Sequence, residues 1–259
     1  MPGIAWAAWF FVWFRDRPEE HPAINEAERA LIRGPQAIVA REEAPDRPEP
    51  TPWKALFTSR AMLFICAQQF FRAAGYMLFA SWFATFLKET RDVSNRQAGI
   101  LTSIPICAYV LGGGVGGLVS DWVLIRTGSR RLSRQGLSIV SSLVCALLMI
   151  GAYFIHNVWL AGLVITIGAL CAAIGGPCAY ALTIDMGGKH VPAVFATMNM
   201  AGNIGAAVFP LLVPPLVAGT GSWNAVLLLV AGIYLASAVC WMLFDSKGTI
   251  FDRPRTPGG

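Results

Sequence analysis

One arginine stands where an arginine is costly. Of the twenty Lys and Arg residues in this 259-residue chain, Arg72 alone lies inside a long apolar run. It is eleven residues past the run's start at 61, about 17 Å deep if the run is a helix. A guanidinium placed so deep in an apolar phase costs at least about 2.5–3.5 kcal/mol, so it is expected to face a cavity or a partner. The runs hold no Asp or Glu to pair with it. An always-charged fork of N–H donors in a wet cavity suits bidentate capture of a carboxylate or phosphate on a substrate. The alternatives are pairing with carbonyls at a broken helix or with a carboxylate of another chain. Gln68, Gln69 and Tyr76 sit at i−4, i−3 and i+4 from Arg72, which gives one helical face two amides, a guanidinium and a phenol. Interhelical hydrogen bonding is the other role open to the glutamines. Asn199 and Asn203, also at i and i+4, lie in a later run. Asn203 is nine residues in, about 14 Å deep from the same side as Arg72, so the two could line one cavity. Gly202 and Gly205 beside it fit close helix packing equally well.

The composition explains what positions these residues. Counting Gly and leaving out Tyr, about 63% of the chain is apolar, against roughly 45–50% in soluble domains. Charged residues make up 14%, where roughly 25% is usual. Mean hydropathy is +0.55. A globule of this size cannot bury that much apolar surface, so lipid is the expected solvent. Six apolar stretches are long enough to span a bilayer: 61–87, 98–119, 137–155, 158–183, 194–217 and 223–244. With six spans, sixteen Lys/Arg fall in the segments on one side (15–60, 121–134, 185–189 and the tail) and three on the other. That asymmetry predicts that the connector and the tail are cytoplasmic.

Residues 2–14 are apolar and Trp-rich but reach only half a span, and no basic segment or cleavage site makes them a signal peptide. They read as the end of a spanning helix whose beginning is missing. In the connector, Asn25 and Glu28 form a capping box for a short helix that Gly34 would close, and 35–50 is Pro- and Glu-rich. Thr51-Pro52 reads as cap and first residue of the next helix, with Trp53 as an interfacial anchor.

Other chemistry is not supported. The six cysteines lie in apolar runs without CxxC spacing or nearby histidines, which predicts no metal and a filling role. All three histidines are in loops, so no catalytic triad is formed and no enzyme is expected. No cofactor is expected, because no glycine-rich turn follows a strand. The net charge of +5 sits in loops, not in a basic stripe, so no nucleic-acid partner is expected. Gly175-Gly176-Pro177 and Pro210 are expected to interrupt the fourth and fifth spans, and Pro105 sits early in the second. Gly112/Gly116 and Gly113/Gly117 are two overlapping GxxxG pairs, which predict a tight packing face.

Several stretches resemble the major facilitator superfamily, in particular its anion:cation symporter branch of organic-anion permeases. The run Gln68-Gln69-Phe70-Phe71-Arg72-Ala73-Ala74-Gly75-Tyr76, continuing to Ser81-Trp82-Phe83-Ala84-Thr85-Phe86-Leu87, is similar to that branch's seventh helix, whose arginine is associated with the substrate carboxylate. Gly117-Leu118-Val119-Ser120-Asp121 with Arg126, Gly128, Arg130 and Arg131 resembles the superfamily's cytoplasmic gate motif, although Gly128 comes seven positions after Asp121 where the common pattern has three. Asp185 to His190-Val191, then Met198-Asn199 and Gly202-Asn203-Ile204-Gly205, is similar to the tenth-to-eleventh helix passage. The stretch from Trp13 to Pro22 resembles the sixth-helix exit.

The resemblance implies an all-α transmembrane, six-helix bundle like the C-terminal half of the major facilitator fold, plus the end of a preceding helix. The expected organisation is 1–14 as that helix end, 15–60 as cytoplasmic connector, 61–244 as bundle and 245–259 as tail. It further implies secondary active transport of a small organic anion, a sugar acid or other carboxylate, coupled to a proton or sodium gradient. Arg72, Gln68, Gln69, Tyr76, Asn203 and Asn199 would form the substrate site. The expected partners are the anion, the lipid bilayer of the cell (inner) membrane and an N-terminal half absent from this chain, where the family's coupling carboxylates usually lie. A half-carrier that binds partners without transporting is the alternative.

Overall fold

The computed structural model describes residues 2–15, 21–28, 50–91, 93–244 and 250–251. The expected helix end at Gly34, the stretch 35–49, residues 16–20 of the exit motif and nearly all of the tail lie outside the described residues. The chain divides into two compact units, Met1–Pro50 and Thr51–Gly259.

The first unit holds α1 (Pro2–Trp13). Twelve residues reach about 18 Å, short of the roughly 30 Å hydrocarbon core. Its exposed aromatic rings form a ladder, with Trp6 and Trp9 at 5.0 Å, Trp9 and Trp13 at 5.3 Å, and Phe10 and Phe14 at 4.7 Å. Asn25 Oδ1 accepts from the Glu28 backbone N–H at 2.8 Å, as an N-cap should.

The second unit is helical, with no strand among the described residues. Its elements are α2 (Trp53–Thr58), α3 (Arg60–Met77), α4 (Phe83–Arg91), α5 (Asn95–Thr127), α6 (Leu137–Phe154), α7 (Val158–Gly187), α8 (Val191–Thr220) and α9 (Ala225–Leu243). Ser94 and Gln97 close a complete capping box at the start of α5, and Asn157 caps α7. Gly128 and Gly221, both with left-handed φ, end α5 and α8.

Five continuous helical rods among the described residues are long and apolar enough to cross a membrane. One of them, Val158–Thr220, is 63 residues long, about 94 Å if straight, so it cannot be a single span. It contains α7 and α8, which turn back on each other at Gly188 (φ +53). The rings of Tyr180 and Phe195, on either side of that turn, meet at 5.3 Å. Six expected spans therefore correspond to five rods, one of them a hairpin.

Two local expectations are corrected, and one span carries a feature that hydropathy does not show. Thr51-Pro52 does not open the first span: a short α2 starts at Trp53, and Ser59, whose hydroxyl accepts from Met62 N–H, starts α3 afresh. Nor is the span at 61–87 a uniform α-helix, because Leu78–Trp82 widen into a π turn between α3 and α4. Finally, Pro177 and Pro210 do not interrupt their helices, which run through them. A proline removes one backbone donor, and a membrane helix held by its neighbours tolerates that loss.

Packing follows the small residues. Helix α5 lies along α7, α3 lies along α8 and also against α9, and α6 packs between α7 and α9. A Cβ on Gly112 would strike the Leu170 carbonyl oxygen, and one on Gly116 would sit 2.7 Å from Ile174 Cα. Gly113 has nothing within 4 Å of such a Cβ, so the packing face is Gly112/Gly116. Between α8 and α3 the same service is done by Gly205, whose Cβ would run into the Phe70 carbonyl oxygen. Phe79, Phe83, Phe86, Phe209 and Tyr234 fill one part of the core; Leu56, Met186, Met198, Trp241 and Ile250 fill another. Large apolar side chains such as Leu111, Leu118, Leu147 and Leu211 point outward, as a lipid-facing surface requires.

Candidate substrate site

Arg72 sits two-thirds along α3 and turns inward to the space between α3, α5 and α7. Its Nε and Nη2 both donate to Gln69 Oε1, each at 3.1 Å, so its own helix grips one edge of the fork. Its Nη1 donates to Tyr109 Oη on α5 at 2.8 Å. From α7, Gly176 leaves room for it: a Cβ there would stand 3.3 Å from Nη1. The Tyr180 ring, one turn on, lies 5.9 Å from Cζ. Tyr76 stacks obliquely on Tyr109 at 4.5 Å, and Phe79 of the π turn touches the same ring at 6.4 Å.

Neutral acceptors therefore hold the guanidinium. Among the described residues the acids that could neutralise a span-end charge are turned elsewhere. Asp121 and Asp185 both approach Arg134, at 3.0 and 3.8 Å. Arg72 keeps its full charge in a half-buried setting, where it can attract an anion.

The other expected residues divide. Gln69 (3% exposed) is in the brace, and Tyr76 is one ring away from it. Gln68 (1% exposed) donates instead to the Ile65 carbonyl of its own helix at 3.0 Å, and its Oε1 is buried without a partner. Asn199 and Asn203 are exposed on α8. Gly202, between them in the chain, presses on Gln69, where a Cβ would be 3.1 Å from Nε2. Tyr109 and Tyr180 are additions. For Tyr109 the signal in the sequence is depth, eleven residues into its run and away from the interfacial belts where tyrosine is common, whereas Tyr180 lies three residues from the end of its run.

At the other end of the bundle, Arg134 takes the role of cation partner to Asp121. It begins the last part of a π turn (Arg131–Gly136) and donates from Nη1 to Ser120 Oγ at 2.6 Å as well as to Asp121. Arg126 lies over the Trp122 ring at 5.5 Å, and Arg130 and Arg131 are exposed. Gln135 Nε2 donates to the carbonyls of Trp241 and Phe244, tying the π turn to the end of α9.

Residues 65–258 match the Major Facilitator Superfamily. The chain belongs to this superfamily. Membership puts it among transporters and not enzymes, and its helices make it a multi-pass membrane protein. It is 28% identical over 242 residues to a probable galactarate/D-glucarate transporter of Escherichia coli K12, covering 88% of this chain and 52% of that protein. A protein of the same name from Bacillus subtilis 168 is 25% identical, covering 93% and 54%. A probable sulfoacetate transporter of Cupriavidus necator is 24% identical, covering 99% and 58%. The chain spans about half the length of these relatives.

Proposed function

We propose that this chain forms the C-terminal half-bundle of a secondary active carrier for small organic anions. Arg72 binds the substrate's anionic group, and Gln69, Tyr76, Gln68, Asn203 and Asn199 shape the surrounding surface. The observation that carries the reading is a deep guanidinium held only by neutral groups, in a superfamily member whose relatives are named as carriers of sugar diacids and of sulfoacetate. A second half-bundle, in the same polypeptide or another, supplies the opposite wall, and the substrate is reached alternately as one half rocks against the other. Exposed Asn199 and Asn203 suit that wall-to-wall face.

Coupling is to a proton or sodium gradient. The carrier lies in the cell (inner) membrane, with the connector and the tail on the cytoplasmic side by the Lys/Arg asymmetry. Arg134, Asp121 and Asp185 latch the cytoplasmic ends of α5, α6 and α7, and Arg126, Arg130 and Arg131 extend the same basic surface.

The test is uptake of labelled D-glucarate and sulfoacetate by membrane vesicles holding the assembled carrier. Arg72→Ala is expected to abolish uptake while insertion, read by a fluorescent tag, is unchanged. Near-normal uptake by that variant, or no uptake of either anion by the unaltered carrier, overturns the reading.

A further inference from the structure

Resting on that reading, we infer that the Tyr109 hydroxyl is both the group that positions the Arg72 fork and a second donor of the anion subsite. The Nε–Nη2 edge of the guanidinium is closed by a single acceptor, Gln69 Oε1. A planar carboxylate must therefore meet the remaining end, formed by Nη1 and Nη2. Tyr109 Oη is the atom that fixes that end, at 2.8 Å from Nη1 and across a helix boundary. A phenol oxygen that accepts from a guanidinium still has its own O–H to donate. An anion seated on the end edge thus receives hydrogens from the guanidinium and from Tyr109.

The surroundings keep the phenol in place. Tyr76 and Phe79 hold its ring from α3 and the π turn. Helix α5 is fixed against α7 by Gly112, one turn after Tyr109. Opposite, Gly176 leaves Nη1 room, and the Tyr180 ring of α7 stands 5.9 Å from Cζ on that side of the fork.

Kinetics separate this role from a structural one. Tyr109→Phe keeps the ring and removes the hydroxyl. In vesicles with the assembled carrier, it is expected to raise the KM for D-glucarate about tenfold, the scale of one lost hydrogen bond to a charged group, with the maximal rate within about twofold. KM does not depend on how much carrier is inserted. Where a variant shows no uptake, the same factor is read as Kd from thermal stabilisation of the purified carrier by D-glucarate. Arg72→Lys lacks the fork, so adding Tyr109→Phe to it should change the constant by less than twofold. An unchanged constant in Tyr109→Phe, a loss of rate alone, or full additivity in the double variant overturns the assignment. The two readings fail separately: an inactive Arg72→Ala beside a normal Tyr109→Phe removes only Tyr109, whereas an active Arg72→Ala removes the site.

Discussion

Two overlapping GxxxG pairs on α5 differ by one residue, and the structure assigns them opposite consequences. Replacing Gly116 with Ala puts a Cβ 2.7 Å from both Cα and the carbonyl oxygen of Ile174, where ordinary contact begins at 3.4 Å. These are backbone atoms in the middle of α7, so the helices must part by at least about 0.7 Å, and Gly112→Ala adds the Leu170 carbonyl to the conflict. Overpacking of this kind costs about 1–3 kcal/mol per site, against about 0.5–1 kcal/mol gained by giving a helix Ala for Gly. Because the two sites share one interface, their costs do not add fully. Gly112→Ala/Gly116→Ala is expected to lose a net of about 1–4 kcal/mol. Gly113→Ala/Gly117→Ala, with open space at Gly113 and 3.9 Å to Pro177 at Gly117, should be neutral or slightly stabilised. Melting of the two purified variants in detergent measures the difference. A further consequence is functional: parting α5 from α7 carries Tyr109, three residues before Gly112, away from Arg72, so the first pair should also weaken anion affinity. Equal melting of the two double variants, or a greater loss in the second, would refute the packing register.

Two more predictions concern the Arg134 cluster and the hairpin. Arg134→Gln should lower stability by about 1–3 kcal/mol, because it strands a partly buried Asp185, while Asp121→Asn at an exposed site should cost under about 1 kcal/mol. Detergent melting gives both values, and the opposite order would mean that Arg134 is not the centre of this cluster. Gly188→Ala forces φ +53 on a residue with a Cβ and should cost about 1–2 kcal/mol, whereas Gly136→Ala, in ordinary helical conformation with 3.8 Å of clearance, should not. Similar melting of these two variants would contradict the turn between α7 and α8.

Hydropathy was enough to read the spans and to single out Arg72, because an ionised group in lipid is conspicuous whatever surrounds it. The contacts of that group were less legible. Gln68 and Gln69 share a face with Arg72 at i−4 and i−3, and helical spacing alone cannot choose between them. Tertiary packing chooses: Gly202 of α8 presses Gln69 toward the guanidinium, and Gln68 folds back on Ile65. Tyr109 stands 37 residues from Arg72, so no local pattern links them. For Asp121, the family resemblance pointed to Arg126, Arg130 and Arg131, but the π turn at Arg131–Gly136 rotates Arg134 back toward α5. The prolines were misleading for a related reason, since a chain punctuated by Pro in water is not punctuated in a helix that neighbours and lipid hold together.

The choice of partners for Arg72 has a physical logic that ties fold to function. A carboxylate opposite a buried guanidinium would satisfy it and also cancel it, and an anion would then have to displace that partner before binding. Removing either member of such a pair is costly, because the other is left charged and unpaired. An amide oxygen and a phenol orient the same fork without neutralising it, at the cost of a less stable resting state. The bundle contains the acids to do otherwise, since Asp121 and Asp185 lie at the ends of the two helices, α5 and α7, that flank Arg72. Both are held by Arg134 instead, away from the midplane. Positive potential thus stays at Arg72, where the proposed anion site lies, and the charge pairs sit at the other end of the bundle. If Arg134 were lost, two carboxylates at this end of the bundle would lose their cation, so on the proposed function Arg134→Gln should weaken anion uptake beyond its effect on melting, and neutralising Asp185 together with it should restore part of that loss.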